Sequence, residues 1–152
     1  MRRFDPPDPA FESRVHSSFL LQQVMKTLDA KMTLVEPGQV RIELPFNSSF
    51  TQQHGYIHAG IITAIIDSAC GYASYTLMPA NSGVLTVEYK ANFLSPARGE
   101  RFIAIGKVIK PGRTLTVCSG EVFAVEKGEE KLIATMQATM MAIPMKPGEI
   151  DF

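Results

Sequence analysis

Neither sign of charge dominates this chain: fifteen acidic and fifteen basic residues cancel over 152 positions. Without a net field, nothing global attracts nucleic acid or an anionic membrane. Cysteine is scarce. Cys70 and Cys118 lie in apolar segments without metal-type spacing, so they read as reduced structural thiols of a cytoplasmic protein. No apolar run makes a good membrane span, because the longest, Tyr56 to Met78, contains Asp67 and several hydroxyls. The N-terminus M-R-R-F-D-P-P-D-P has charge but no apolar h-region, which argues against a secretory signal. Repeats and low-complexity tracts are also missing. The length fits a single domain over residues 1–152 with a real core.

What the chain does have is a helix, predicted over 59–75, with Ile, Ala and Cys on every side of a 3.6-residue wheel. A helix apolar all round has to be wrapped by something. Asp67 is its one formal charge, and an isolated carboxylate there is expensive unless partnered, because desolvation disfavours the ionised form. Ahead of it the polar turn T-Q-Q-H-G-Y-I-H delivers the chain to the helix N-terminus, where unpaired N–H groups and the positive dipole end collect. A costly acid and an anion-stabilising helix start together make a site hypothesis.

Around this helix the periodicity predicts an irregular Pro- and Asp-rich arm over 1–12. An amphipathic helix follows over 13–28, with Val15, Phe19, Leu20, Met25 and Leu28 along one stripe. Two short strands, 30–36 and the run bearing Val40, Ile42 and Leu44, flank a Pro37-Gly38 turn and make a hairpin. A loop over 46–57 leads to the central helix. After Pro79 the period switches to two. Leu85, Val87, Tyr89, Ala91 and Phe93 oppose Thr86, Glu88, Lys90, Asn92 and Leu94. Further strands are expected over 101–110, 114–126 and 131–143, the last with Leu132, Ala134, Met136, Ala138, Met140 and Ala142 on one face. Tight turns between consecutive strands imply an antiparallel sheet. The expected fold class is therefore α+β, a six-stranded antiparallel sheet wrapped around one helix. Gly106, Gly120 and Ala138 are the small residues that would let strands curve or the helix come close. One helix flank and one edge strand stay uncovered, so the chain is expected to dimerise.

This element order resembles the hotdog fold. The stretch G-Y-I-H-A-G-(I-I-T-A-I-I)-D is similar to the signature of PaaI-type (4-hydroxybenzoyl-CoA thioesterase-like) acyl-CoA thioesterases. N-F-L-S-P-A-R-G and V-I-K-P-G-R-T-L match that family's later strands. The resemblance spans roughly residues 15 to 143 and implies hydrolysis of an acyl-CoA to a carboxylic acid and free CoA, without metal or redox cofactor. It makes Asp67 the nucleophile or general base. It makes the backbone N–H of Ala59 the oxyanion donor, in a His58-Ala59-Gly60 sequence where many relatives carry His-Gly-Gly. Gln52, six residues before His58, takes the place of the amide beside the thioester carbonyl, with Gln53 its rival. It further implies that the site forms between two subunits of a homodimer, Gln52 and Ala59 from one and Asp67 from the other. Such dimers are expected to pair into tetramers.

Other residues are weighed beside these. His58 orders the helix start by hydrogen bonding, with direct proton transfer as second choice. Gly55 breaks the helical spacing of His54 and His58, and no further ligand stands at a recognised spacing, so metal is not expected. Thr86 matches a hydroxyl that some relatives place near the acid. Lys110 and Arg113, flanking Pro-Gly, are candidates for the CoA phosphates, with Lys90 and Arg98 behind them. Two rival functions stand: an acyl-CoA-binding or sensing module that lost hydrolysis, and a hotdog enoyl-CoA hydratase or dehydratase using His58 and Asp67.

Overall fold

The computed structural model describes residues 4–146 and 148–149. Positions 1–3 of the expected arm, and 147 and 150–152 of the domain, lie outside the described residues. The chain runs α1 (Phe11–Leu21), α2 (Gln23–Thr27), β1 (Lys31–Glu36), β2 (Gln39–Pro45), a 3₁₀ turn (Ser48–Phe50), α3 (Ala59–Tyr75), β3 (Ser82–Phe93), β4 (Arg101–Lys110), β5 (Leu115–Glu126) and β6 (Glu129–Pro144). The six strands form one sheet in the order β1-β2-β4-β5-β6-β3, antiparallel throughout. This is the hotdog architecture, with α3 lying across the concave face. No described helix is long and apolar enough to cross a membrane.

α3 is swallowed as its composition requires. Ile62, Ile65, Ile66, Ala69, Cys70, Tyr72, Ala73 and Tyr75 are buried, against β2 residues Val40, Ile42 and Leu44 and the inner faces of β4 to β6. Two glycines allow the closeness. Gly106 on β4 pairs with Gly120 on β5 directly under the helix. A Cβ on Gly106 would stand 2.3 Å from the backbone carbonyl of Ala69, so only hydrogen fits there. Gly38, in the β1–β2 turn, takes φ +77°, a conformation β-carbon residues resist.

The N-terminal part departs from expectation. The helix expected over 13–28 is two helices, broken at Gln22, whose backbone is extended at φ −69°, ψ 106°. Leu20 is 64% exposed while Val15, Phe19, Met25 and Leu28 are buried. At 3.6 residues per turn, a residue five positions after Val15 leaves the stripe. The described part of the arm before α1 is irregular as expected, though α1 begins at Phe11, inside the expected arm, and the arm is fastened to the helix. Asp8 accepts from the Ala10 N–H at 2.9 Å and pairs with Arg14 at 2.7 Å. That guanidinium, which holds the Asp8 carboxyl below its usual range, also donates to the carbonyls of Tyr75 (3.2 Å) and Met78 (2.9 Å). Asp8 and α1 are thereby tied to the C-terminal end of α3.

Register shifts interrupt the simple alternation in four strand pairs, and two of them matter most here. In β6 the register shifts opposite Val122 and Phe123; Ile133 is buried there and Leu132 leaves the inner face. In β3 the shift falls between Thr86 and Glu88, which face the consecutive β6 residues Met140 and Thr139. The extra residue, Val87, reverses the parity of the strand. Thr86 and Tyr89 therefore share the helix-side face, each paired with a buried β6 residue, Met140 and Ala138. β3 is also the sheet edge, and Leu85, Val87, Tyr89 and Phe93 are 47–52% exposed along it.

Candidate active site

The helix start is built by a tight loop. A Thr51–Ile57 bridge closes it, the Gln52 N–H donates to the Tyr56 carbonyl at 2.8 Å, and the Ile57 N–H donates to Ala97 at 3.1 Å. His58 then caps α3: its Nδ1 accepts from the Gly60 N–H at 2.8 Å. Satisfying Gly60 in this way leaves the neighbouring Ala59 N–H, exposed at the helix N-terminus, with no acceptor among the described residues. Gln52 and Ala59 line one cleft of about 430 Å³ with Tyr56, Ile62, Phe93 and Pro96. The Gln52 side-chain oxygen accepts from the His54 N–H, which leaves its amide nitrogen as a donor. Gln53 is exposed and does not line this cleft.

Asp67 sits elsewhere, half-buried on the uncovered flank of α3. Its Oδ1 accepts from Thr86 Oγ1 at 2.8 Å. Burial pushes the carboxyl above its ordinary value, and the Thr86 hydrogen bond opposes that shift only in part. It lines a separate chamber of about 80 Å³ with Gln22, Ser68, Gly71, Tyr72 and Thr86. Asp67 is eight positions after Ala59 on the helix, about 12 Å along the axis at 1.5 Å per residue. A single carbonyl group is too small to touch both. Within one chain, Ala59 and Asp67 line separate cavities.

The remaining candidates scatter. Gly55 and His54 are at the loop tip, in a shallow cleft with Arg98, whose guanidinium reaches Glu126 at 3.5 Å. Lys90 points away from the helix and donates to Asn92 at 3.2 Å. Lys110 and Arg113 are exposed on the β4–β5 turn, at the opposite sheet end from the Gln52 cleft. Among the described residues no three His, Cys, Asp or Glu gather where they could hold a metal ion. Cys70 and Cys118 are buried and free, and burial pushes both thiols upward, Cys118 to about 12. Gln22 and Ser68, which line the acid's chamber, carry no sequence signal beyond being polar within apolar stretches. A helix break without Pro or Gly cannot be read from composition.

Residues 54–131 match the model of the Thioesterase superfamily. A solved structure of a thioesterase family protein from Silicibacter pomeroyi is 50% identical. That likeness covers 88% of this chain and 98% of that one, with a TM-score of 0.87. Acyl-coenzyme A thioesterase 13 of Homo sapiens is 31% identical over 107 residues, 68% of this chain and 74% of its own. The Escherichia coli PaaI protein from the phenylacetic acid degradation operon, 18% identical, has the same fold at a TM-score of 0.79 over 90% of this chain and 95% of its own.

Proposed function

Because this chain belongs to the Thioesterase superfamily and is a thioester hydrolase, we propose that it cleaves acyl-CoA, in a site completed by a second copy of itself. Asp67 of one chain is the base, and the Ala59 N–H and Gln52 amide of the other hold the carbonyl oxygen. The observation that carries this reading is that Ala59 and Asp67 line separate cavities, with an axial rise of about 12 Å between their positions on one helix. Each half-site lacks what the other holds. The exposed apolar edge of β3 and the uncovered flank bearing Asp67 are the surfaces a second copy would cover.

In the reaction, water attacks the thioester carbon while the Asp67 carboxylate takes its proton. Negative charge builds on the carbonyl oxygen, where a fixed N–H donor stabilises it by roughly 3 kcal/mol. The C–S bond then breaks, the CoA sulfur gains a proton, and the carboxylic acid leaves. Water and thioester are the only reactants. Lys110 and Arg113 are assigned to the CoA phosphates. Their turn is two strands from Thr86 (Thr86 pairs with Met140, and Met140 with Thr116), on the acid-bearing side of the composite site. The reading places the protein in the cytoplasm, where free thiols and CoA coexist.

A thiol-release assay over a panel of acyl-CoAs tests this proposal. Release of free CoA with at least one acyl class supports it, and binding without release would replace it with a sensing module. Val87→Lys puts a charge in the middle of the sheet edge. Sedimentation is expected to shift toward monomer, and thiol release to fall in step, with secondary structure retained. An active monomer would refute the two-chain site. Thr86→Val removes the hydrogen bond that favours the Asp67 carboxylate. The acidic limb of kcat/KM, expected above the ordinary carboxylate value of about 3.9, should move higher still. A limb that moves down, or stays, would remove Asp67 as the titrating base.

A further inference from the structure

The chamber beside Asp67 is the wrong size and chemistry for an acyl group. It is a half-open recess of about 80 Å³ whose lining is mostly polar, with Gln22, Ser18, Ser68, Tyr72, Thr86 and the acid itself beside Gly71 and the one apolar side chain, Val84. An apolar cavity of roughly 150 Å³ is needed to take a benzene ring, whereas a water needs only about 10–15 Å³ and two to four polar partners. The broken N-terminal helix makes this space polar. An unbroken helix through residues 13–28 would have no reason to extend its backbone at Gln22. Released there, the Gln22 side chain reaches α3 and accepts from Ser68 Oγ at 3.3 Å, one residue along from Asp67. Thr86 holds Oδ1 of the acid at 2.8 Å and fixes its plane at the chamber wall.

We propose that this chamber stores the water that Asp67 delivers, and that Gln22, through Ser68, is the positioning residue that keeps it polar and in register with the acid. The inference rests on the reading of Asp67 as base. It adds that the attacking water is held on the acid's own chain, behind the helix flank, and does not arrive with the substrate.

Gly71 supplies the test. It is one helical turn after Asp67 and lines the chamber, and an added Cβ would meet nothing within 4 Å. Gly71→Ala thus fills chamber volume without a clash, and alanine in place of a helical glycine favours the fold. The expected result is an unchanged or higher Tm with kcat lowered at least about tenfold and KM within about twofold, the pattern of a lost transition-state interaction. Gln22→Leu, which keeps bulk and removes the amide, should lower kcat in the same way. Gln22→Glu, which keeps a hydrogen-bond acceptor for Ser68, should recover part of it. If Gly71→Ala instead raises KM for longer acyl groups with kcat preserved, the chamber is an acyl subsite and the inference falls. Full activity in Gly71→Ala and Gln22→Leu, with Asp67→Asn inactive, overturns the chamber alone. Activity retained in Asp67→Asn overturns the reading beneath it.

Discussion

Asp67→Asn is expected to lose at least about a hundredfold in kcat, within the range that a positioned general base contributes, while the protein becomes no less stable. The two effects have one cause. Burial raises the pKa of this acid, so ionising it at neutral pH costs the folded state free energy that the unfolded chain does not pay. The sign follows directly. For an acid whose folded pKa lies above its unfolded value, the penalty is absent well below the unfolded pKa, and full once pH exceeds the folded one. An amide never ionises and escapes it, yet still accepts from Thr86 through its oxygen. Equal or higher Tm at pH 7, with thiol release abolished, is the outcome expected of a residue kept for chemistry at the expense of stability. Substrate binding should survive, because the Gln52 amide and the Ala59 N–H are untouched. An Asp67→Asn protein that loses stability and activity together would mark the carboxylate as a structural group.

The largest effect on folding is expected at Gly106. Gly106→Ala drives a methyl group to within 2.3 Å of the Ala69 carbonyl and 2.5 Å of the Cys70 nitrogen. Backbone on backbone cannot be relieved by a rotamer change, so α3 must lift off the sheet along its most buried stretch. Overpacking of this kind costs roughly 3 kcal/mol or more, a large share of the roughly 5–15 kcal/mol that holds a typical domain together. For a domain of this size that corresponds to a fall in Tm of about 10 °C. Urea denaturation followed by circular dichroism gives the measurement, with Gly71→Ala as the control at a glycine whose Cβ would meet open space. A Gly106→Ala midpoint near that of wild type would mean that the helix does not rest on β4 as closely as described. The clash at Gly120 is with the side chains of Ile66 and Cys70 instead, so Gly120→Ala should cost less.

Much of this is legible in the sequence. An all-round apolar helix over 59–75 and period-two runs punctuated by Pro-Gly and Lys-Gly turns are enough to require a sheet wrapped around a helix. Burial and pleat geometry admit few other arrangements, and α3 is where the pattern predicts it. His58 as the organiser of the helix start was readable too, because a polar residue before an apolar run has orphan N–H groups within reach. The glycines at 106 and 120 were readable as points of close approach, though not as a facing pair.

Tertiary structure decided three things that periodicity does not. Strict alternation puts Thr86 with Glu88 and Lys90, away from the helix; the extra residue at Val87 turns it inward onto Asp67. Helical periodicity runs one helix through Gln22; the chain breaks there and brings an amide to Ser68. The helix itself sets Ala59 and Asp67 apart, but the two separate cavities they line are made by distant segments packed against it, Phe93, Pro96 and Ile133 around Ala59 and Gln22 and Thr86 around Asp67. The division has a physical basis. Periodicity is a local property and fixes which face of an element is apolar, so sequence determines what must be buried. A bulge, a break or a shared cavity depends on how distant strands register and what they press against. Those energies arise only when residues far apart in the chain are brought into contact.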